Sequence, residues 1–282
     1  MSALLPEELT PLLRTRILGR RCIFAEEMTS TNAVLKERAS SLPEGALVCC
    51  DSQSAGRGRS DHSWHSPRGV NLYFSVLLLP PCRDAVRLPQ LAMLAALALH
   101  RALRREIPDL PVMLKWPNDL WCGSRKLSGI LCEVAAGGHP GGAIPVVLGV
   151  GINVNSTLGD FPPDLRESAG SLSTCTGGRL YDRPRILAAF LNHLEQCYLQ
   201  WLESADFSPF AAEWSRHDLL AGRTITVEGP CGCVTGLAMG LAPKGTLLLK
   251  RDGAAVPEEI FAGDIHIRRE GILAGPPPSS SD

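Results

Sequence analysis

The chain predicts an α+β fold, a sheet covered by helices followed by a small all-β barrel. Three observations lead there. Strand-like and helix-like runs alternate from about Thr29 to Trp201. Beyond Gly222 the runs become short, strand-like and punctuated by Gly and Pro. With 282 residues, 45% of them apolar, the chain can bury one large core and one small one without help from disulfides.

The first helix is expected to begin at Thr29-Ser30-Thr31-Asn32, a cluster of cap-forming residues, and to run to about Ala39. Ala46–Cys50 is short and apolar, hence a strand, and a Gly/Ser/Arg-rich loop follows from Ser52 to Arg68. Asn71–Leu79 reads as a buried strand ended by Pro80-Pro81, and Leu91–Arg105 as a helix that is apolar on most sides. Val112–Trp116 is a strand stopped by Pro117. Leu120–Cys122 and Lys126–Val134 flank Gly123-Ser124 as a hairpin, and Ile144–Val150 is a further strand. Asp182 should cap a long helix with Pro184 in its first turn; its apolar residues Leu187, Phe190, Leu191, Leu194 and Trp201 recur at helical spacing. Arg223–Val227, Gly232–Leu237, Gly245–Lys250 and Glu259–Ala262 are the strands of the barrel, and 274–282 reads as a disordered tail.

Charge excludes whole classes of function. The 28 basic and 29 acidic residues leave a net charge of −1, unlike a polybasic nucleic-acid or membrane-surface protein. The N-terminus lacks the basic and apolar segments of a signal peptide, and Leu88–Leu99 falls short of the about twenty residues that span a bilayer. Ten cysteines without a CxxC pair read as reduced, buried thiols rather than a disulfide framework or zinc site, so the cytoplasm is the expected location. The seven histidines show no metal-ligand spacing, and none is assigned a role.

Two stretches could carry chemistry. Gln53-Ser-Ala-Gly56-Arg57-Gly58-Arg59 follows a strand, with two glycines for a mobile backbone and two guanidinium forks suited to phosphate or carboxylate. Alone, such a loop reads as solvated surface; its place between two buried strands points to an anion-binding loop. It lacks the Gly-Lys-Ser/Thr of a P-loop and the third glycine of a dinucleotide fingerprint. The second stretch is Lys115-Trp-Pro-Asn118-Asp119 with Arg125-Lys126-Leu-Ser-Gly129. Only five lysines occur in the chain, and two of them fall here. A strand lysine ordinarily snorkels to water, but with Asp119 across the turn a cleft-facing charged pair is an equal alternative. Gly149-Val-Gly151-Ile-Asn153 and the Ser30-Thr31-Asn32 cap carry little weight by themselves.

Together these segments are more specific than any of them alone. Ser30-Thr-Asn32, Gln53-x-x-Gly-Arg-Gly-Arg59 with Trp64 and Ser66-Pro67, Asn71-Leu-Tyr73, Lys115-Trp-Pro-Asn-Asp119, Arg125-Lys-Leu-Ser-Gly-Ile-Leu131 and Gly149-x-Gly-Ile-Asn-Val154 resemble, in order, the biotin protein ligases (biotin–[acetyl-CoA-carboxylase] ligases). The resemblance is close over about 24–155 and looser in the C-terminal β region.

The resemblance implies a mixed central sheet with covering helices, of the class II aminoacyl-tRNA synthetase and biotin ligase type, followed by a small SH3-like β-barrel. The expected divisions are 1–24 as an N-terminal segment, 25–218 as the catalytic domain, 219–270 as the SH3-like domain and 271–282 as the tail. It implies ATP-dependent attachment of biotin to a lysine of a biotin carboxyl carrier domain through biotinyl-5′-AMP, with ATP and Mg²⁺ as cosubstrate and its ion and no tightly bound protein metal. By motif, Ser30, Thr31, Asn32, Gln53, Gly56, Arg57, Gly58, Arg59 and Lys126 are the biotin-binding residues. Arg57, Arg59, Lys115, Asn118, Lys126 and Asn153 face ATP, and Lys126, Arg57 and Asp119 are catalytic. Ser60 and His62 depart from the basic or glycine residues common in this loop, a change expected to weaken retention of the adenylate. Residues 1–24 are too few for the helix-turn-helix of regulatory members, so a ligase that does not bind DNA or membrane is expected, with monomer and homodimer both open. A lipoate or octanoate ligase of the same general fold is the nearest alternative, and a nucleic-acid-binding module a more distant one.

Overall fold

A computed structural model describes residues 6–59, 62–81, 87–137, 139, 142–204, 206–229 and 232–267. The expected tail, Ser60 and the end of the proposed β domain lie outside the described residues. In chain order the elements are α1 (Pro6–Leu9), β1 (Cys22–Met28), α2 (Thr31–Arg38), β2 (Leu47–Gln53), β3 (Leu72–Leu78), α3 (Pro89–Glu106), β4 (Val112–Lys115), β5 (Asp119–Cys122), β6 (Arg125–Val134), β7 (Val146–Ile152), α4 (Leu172–Cys175), α5 (Arg183–Glu203), α6 (Ser208–Arg216), β8 (Thr224–Gly229), β9 (Gly232–Leu241), β10 (Leu247–Lys250), β11 (Glu258–Ile260) and β12 (Asp264–Ile267).

The described residues divide into two compact units, drawn from Met1–Leu114 with Asn118–Ala205 and from Lys115–Pro117 with Asp206–Asp282. The first is built on a mixed seven-stranded sheet of order β1-β2-β3-β7-β6-β5-β4. β1 and β2 run parallel, whereas β2-β3, β3-β7, β7-β6 and β6-β5 are antiparallel. Every residue of β3 is buried because helices cover both faces. Its alternation sends Phe74 to α5, where it meets Phe190 with ring centroids 5.3 Å apart. The opposite face carries Ser75 and Leu77 towards α2, whose Leu35 packs with Ala46, Val48, Leu77 and Val147. This second face is the one that carries the polar residues of the site.

Two divisions drawn from the sequence change. The described part of the expected N-terminal segment, residues 6–24, is not separate: Leu9, Leu13 and Leu18 are buried in the first unit, and β1 starts at Cys22. The Glu195 carboxylate of α5 accepts the amides of Arg16, Ile17 and Leu18 at 2.6–2.8 Å, satisfying three donors in a stretch with no regular structure. Glu195→Ala should therefore cost about 3 kcal/mol, since three amides lose a charged acceptor at a buried position. A urea midpoint unchanged from wild type would show that water replaces it. The second change is the boundary, which falls at Asp206 rather than near residue 219. Past that boundary lies α6, whose Phe210 and Trp214 rings are 5.5 and 6.0 Å from that of Phe207.

The second unit is a five-stranded antiparallel sheet of order β11-β10-β9-β8-β12, in keeping with a small barrel-like domain. Ile225, Val227, Ala238, Leu247, Leu249 and Ile265 form its core. Residues 115–117 belong to it through the Trp116 indole, which donates to the Gly245 carbonyl at 2.9 Å. Asp218 is buried before β8; its Oδ1 accepts the Leu220 amide while Oδ2 has no hydrogen-bond partner. Burial pushes this carboxyl up to about 6, against two backbone amides that lower it. A folded value above the unfolded one means that stability is full below about pH 4 and falls as pH rises through about 6, by roughly 2–3 kcal/mol. Asp218→Asn should remove that slope, seen as denaturant midpoints that no longer decline between pH 4 and 7.

Candidate active site

Ser30 stands at the N-cap of α2 in extended conformation, yet its hydroxyl makes no cap hydrogen bond. The capping is done from outside the helix: the Thr31 amide donates to Gln53 Oε1 at 2.9 Å, from the end of β2. Gln53 Nε2 donates to Ser66 Oγ at 2.9 Å, and Ser66 Oγ to the Trp64 carbonyl at 3.0 Å. Asn32 is buried, with Nδ2 donating to Glu133 Oε2 at 2.8 Å and Oδ1 2.6 Å from Ser75 Oγ. Ser75 Oγ also lies 2.8 Å from Thr31 Oγ1. The helix start is thus one end of a buried polar network, and its cap-like residues are doing more than capping.

Ser75 and Glu133 were missed in the sequence. Ser75 is the one aliphatic hydroxyl in the apolar run Leu72–Leu78, a signal legible in the sequence. Glu133 gave none, because only the fold brings β6 beside α2. Its Oε1 takes Lys36 Nζ at 2.9 Å and has the Arg57 guanidinium at 3.8 Å. Burial raises this carboxyl, but the bonds from Asn32 and Lys36 and the attraction of Lys36 and Arg57 outweigh it and hold it below the usual carboxylate range.

The described limbs of the arginine loop, 53–59 and 62–66, run close together. Arg57 bridges Ser63, the Gly58 amide donates to the His62 carbonyl at 2.6 Å, and the Trp64 amide donates to the Gly56 carbonyl at 2.9 Å. The glycines are explained by close approach between the two limbs of the loop rather than by mobility. A Cβ on Gly56 would sit 2.4 Å from the Trp64 carbonyl oxygen, and one on Gly58 3.2 Å from that of His62. Arg59 reaches across to Asn118 Oδ1 at 3.2 Å, while Arg57 stays half-exposed.

The Trp64 ring lies on a floor made by Gly129 of β6 and Gly151 of β7, which are directly paired. A Cβ on Gly151 would be 2.4 Å from the indole, and one on Gly129 3.0 Å from it. Lys126 crosses the same floor: its Nζ is 2.8 Å from Asp119 Oδ1 and 5.7 Å from the Trp64 ring centroid. Asp119 is paired with Gly129 in the hairpin, so the missing side chain at 129 gives the lysine its path along the sheet. The lysine is therefore a held, one-third-exposed cation over the sheet face rather than a snorkelling one.

Asn118 supports this hairpin through Nδ2, which donates to the Ile130 carbonyl. Asn153 is buried beyond the end of β7, its amide donating to Leu127 O and its carbonyl accepting from Leu172 N. Lys115 ends β4. It groups with the second unit, where its Nζ donates to the Ile265 carbonyl at 2.8 Å. The structure thus brings together Thr31, Asn32, Gln53, Gly56, Arg57, Asp119 and Lys126 around Trp64, with Ser30, Gly58, Arg59 and Asn118 flanking them. Among the described residues, no three His, Cys, Asp or Glu side chains are grouped to hold a metal ion. No helix among them is long and apolar enough to cross a membrane.

A family model for the biotin/lipoate A/B protein ligase family matches residues 24–153, the span that contains all these groups. The bifunctional ligase/repressor BirA of Bacillus subtilis is 32% identical over 256 residues, covering 90% of this chain and 76% of that protein. The biotin–[acetyl-CoA-carboxylase] ligase of Mycobacterium tuberculosis is 32% identical over 267 residues, covering 91% and 94%. Among solved structures, the biotin protein ligase from Aquifex aeolicus in complex with biotin and ATP superimposes with a TM-score of 0.76 at 30% identity, over 89% of this chain and 99% of that one. On its motifs, its mixed sheet and these likenesses, the chain belongs to the biotin protein ligases.

Proposed function

We propose that this chain joins biotin to a lysine of a biotin carboxyl carrier domain in two steps. The biotin carboxylate attacks the α-phosphate of ATP, releasing pyrophosphate and forming biotinyl-5′-AMP. The carrier lysine amine then attacks the mixed anhydride and AMP leaves. The observation that carries this reading is the arrangement around Trp64. Its indole lies beside the Lys126 cation on the Gly129–Gly151 floor, while its carbonyl is linked through Ser66 to Gln53 and Thr31. One side of this residue is built for a neutral polar ring and the other for an anion.

In this reading Ser30, Thr31 and Gln53 meet the ureido ring, with Asn32 packed behind them. Lys126 lies against the reacting carboxylate and α-phosphate, where charge builds up in both steps. Asp119 holds its ammonium in place and is the carboxylate nearest to take the proton of the attacking amine. Arg57 and Arg59 bring the loop onto the phosphates, and Asn118 and Asn153 line the nucleotide side. Mg²⁺ enters with ATP, bound mainly through phosphate oxygens. Closing the loop over the adenylate keeps water from the anhydride.

The test is incubation with α-labelled ATP and either biotin or lipoate. Labelled biotinyl-AMP and pyrophosphate released only with biotin are expected. Adenylate formed with lipoate alone would replace this reading, and salt-sensitive DNA binding without any adenylate would overturn it.

A further inference from the structure

Glu133 belongs to none of the motifs, yet it ends the polar network that begins at Thr31. The direction of every hydrogen bond in that network follows from it. A carboxylate can only accept, so the Asn32 atom 2.8 Å from Glu133 Oε2 is the amide nitrogen. Asn32 Nδ2 also points to the Leu131 carbonyl at 3.4 Å, and Oδ1 must then face Ser75. That oxygen cannot donate, so the single proton of Ser75 Oγ goes to it across 2.6 Å. At the 2.8 Å contact between Ser75 and Thr31, Ser75 Oγ is also oriented to donate, but its one proton goes to Asn32 over the shorter distance, which leaves this contact to the proton of Thr31 Oγ1. Thr31 is left with lone pairs for a ligand. Its other acceptor neighbour, Gln53 Oε1, takes the Thr31 amide at 2.9 Å and is reached by the hydroxyl only at 3.4 Å, a much longer contact than the 2.8 Å to Ser75.

We infer that Glu133 is a positioning residue that polarises the chain Thr31→Ser75→Asn32→Glu133 and so fixes Thr31 as a hydrogen-bond acceptor that selects an N–H of the ligand. This rests on the biotin reading above, in which that N–H belongs to the ureido ring. Lys36 and Arg57 decide what an amide in place of this carboxylate would do. Both cations sit on Oε1, so in Glu133→Gln the remaining oxygen stays with them and the new NH₂ group faces Asn32. Asn32 must then turn its oxygen to that NH₂ group and its nitrogen to Ser75. The chain reverses, and Thr31 accepts from Ser75 and presents its proton to the ligand.

The test compares biotin with its two mono-N-methyl ureido isomers in biotin-dependent ATP–pyrophosphate exchange. Wild type should discriminate against the isomer methylated on the nitrogen that faces Thr31 by tenfold or more in kcat/KM. Glu133→Gln should raise the KM for biotin ten- to a hundredfold, leave the KM for ATP within about twofold, and reduce that discrimination severalfold. Glu133→Asp, which keeps an acceptor-only group, should retain the discrimination. Ser75→Ala, which interrupts the chain without touching Glu133, should reproduce its loss and serves if Glu133→Gln does not fold. An unchanged biotin KM, or biotin and both isomers weakened equally in Glu133→Gln and Ser75→Ala, would overturn the relay. No biotin-dependent exchange in wild type would instead bring down the biotin reading, and the relay with it.

Discussion

Lys126→Ala is expected to lower the rate of biotinyl-AMP formation at least ten- to a hundredfold. The loss of one charge-assisted contact is worth about 1.5–3 kcal/mol, and more if it tightens as charge develops on the α-phosphate. The decrease should appear in kcat as well as kcat/KM, because a contact that strengthens in the transition state is lost from the chemical step. Lys126→Met is the informative companion, since it keeps a stem to lie beside Trp64 and removes only the charge. Both variants also leave the Asp119 carboxylate, 13% exposed, without its cation. A modest loss of stability should therefore accompany the loss of rate. Pyrophosphate release measured in a single turnover checks the rate, and a urea melt checks the fold. Full activity in a stable Lys126→Met would show that the cation does no chemistry.

Gly149→Ala is expected to abolish useful biotin affinity, raising the biotin KM by a hundredfold or more. A Cβ at this position would stand 1.9 Å from Asn32 Oδ1. A flexible side chain would move away at little cost, but this amide is held by Glu133, the Leu131 carbonyl and Ser75. Forcing it out breaks the network that orients Thr31 and costs roughly 1–3 kcal/mol of stability as overpacking. Titrating biotin in the exchange assay, beside a thermal melt, separates the two effects. A variant with wild-type biotin KM would mean that Asn32 yields without consequence.

The glycines show where sequence reading stops. Gly149 and Gly151 look like a strand-to-loop transition in the chain, and the two loop glycines like a mobile backbone. What requires them is contact with residues distant in sequence or across a loop: Asn32 over Gly149, Trp64 over Gly151, the Trp64 carbonyl against Gly56. Close approach is a property of the packed state and leaves no trace in local pattern. The same holds for Glu133, an ordinary strand carboxylate until β6 lies beside α2, and for Lys115, whose motif placed it beside ATP while its ammonium meets the Ile265 carbonyl. Elements with regular burial were legible, such as α5 with its Asp182 cap and the β5–β6 hairpin at Gly123-Ser124. The edge strand β1, half-buried without a period of two, was not.

By itself the sequence determined the fold class, the order of most elements and the motif residues, because periodicity, caps and turn residues act over a few positions. Only the tertiary structure decided which of those residues share one surface and which way their hydrogen bonds run. It joined Thr31, Asn32 and Gln53 to Lys126 and Asp119 through Trp64, folded residues 6–24 into the first unit and moved the boundary to Asp206. The physical reason is that hydrogen-bond direction and steric exclusion depend on atoms that meet across the sheet, and a linear pattern does not encode them.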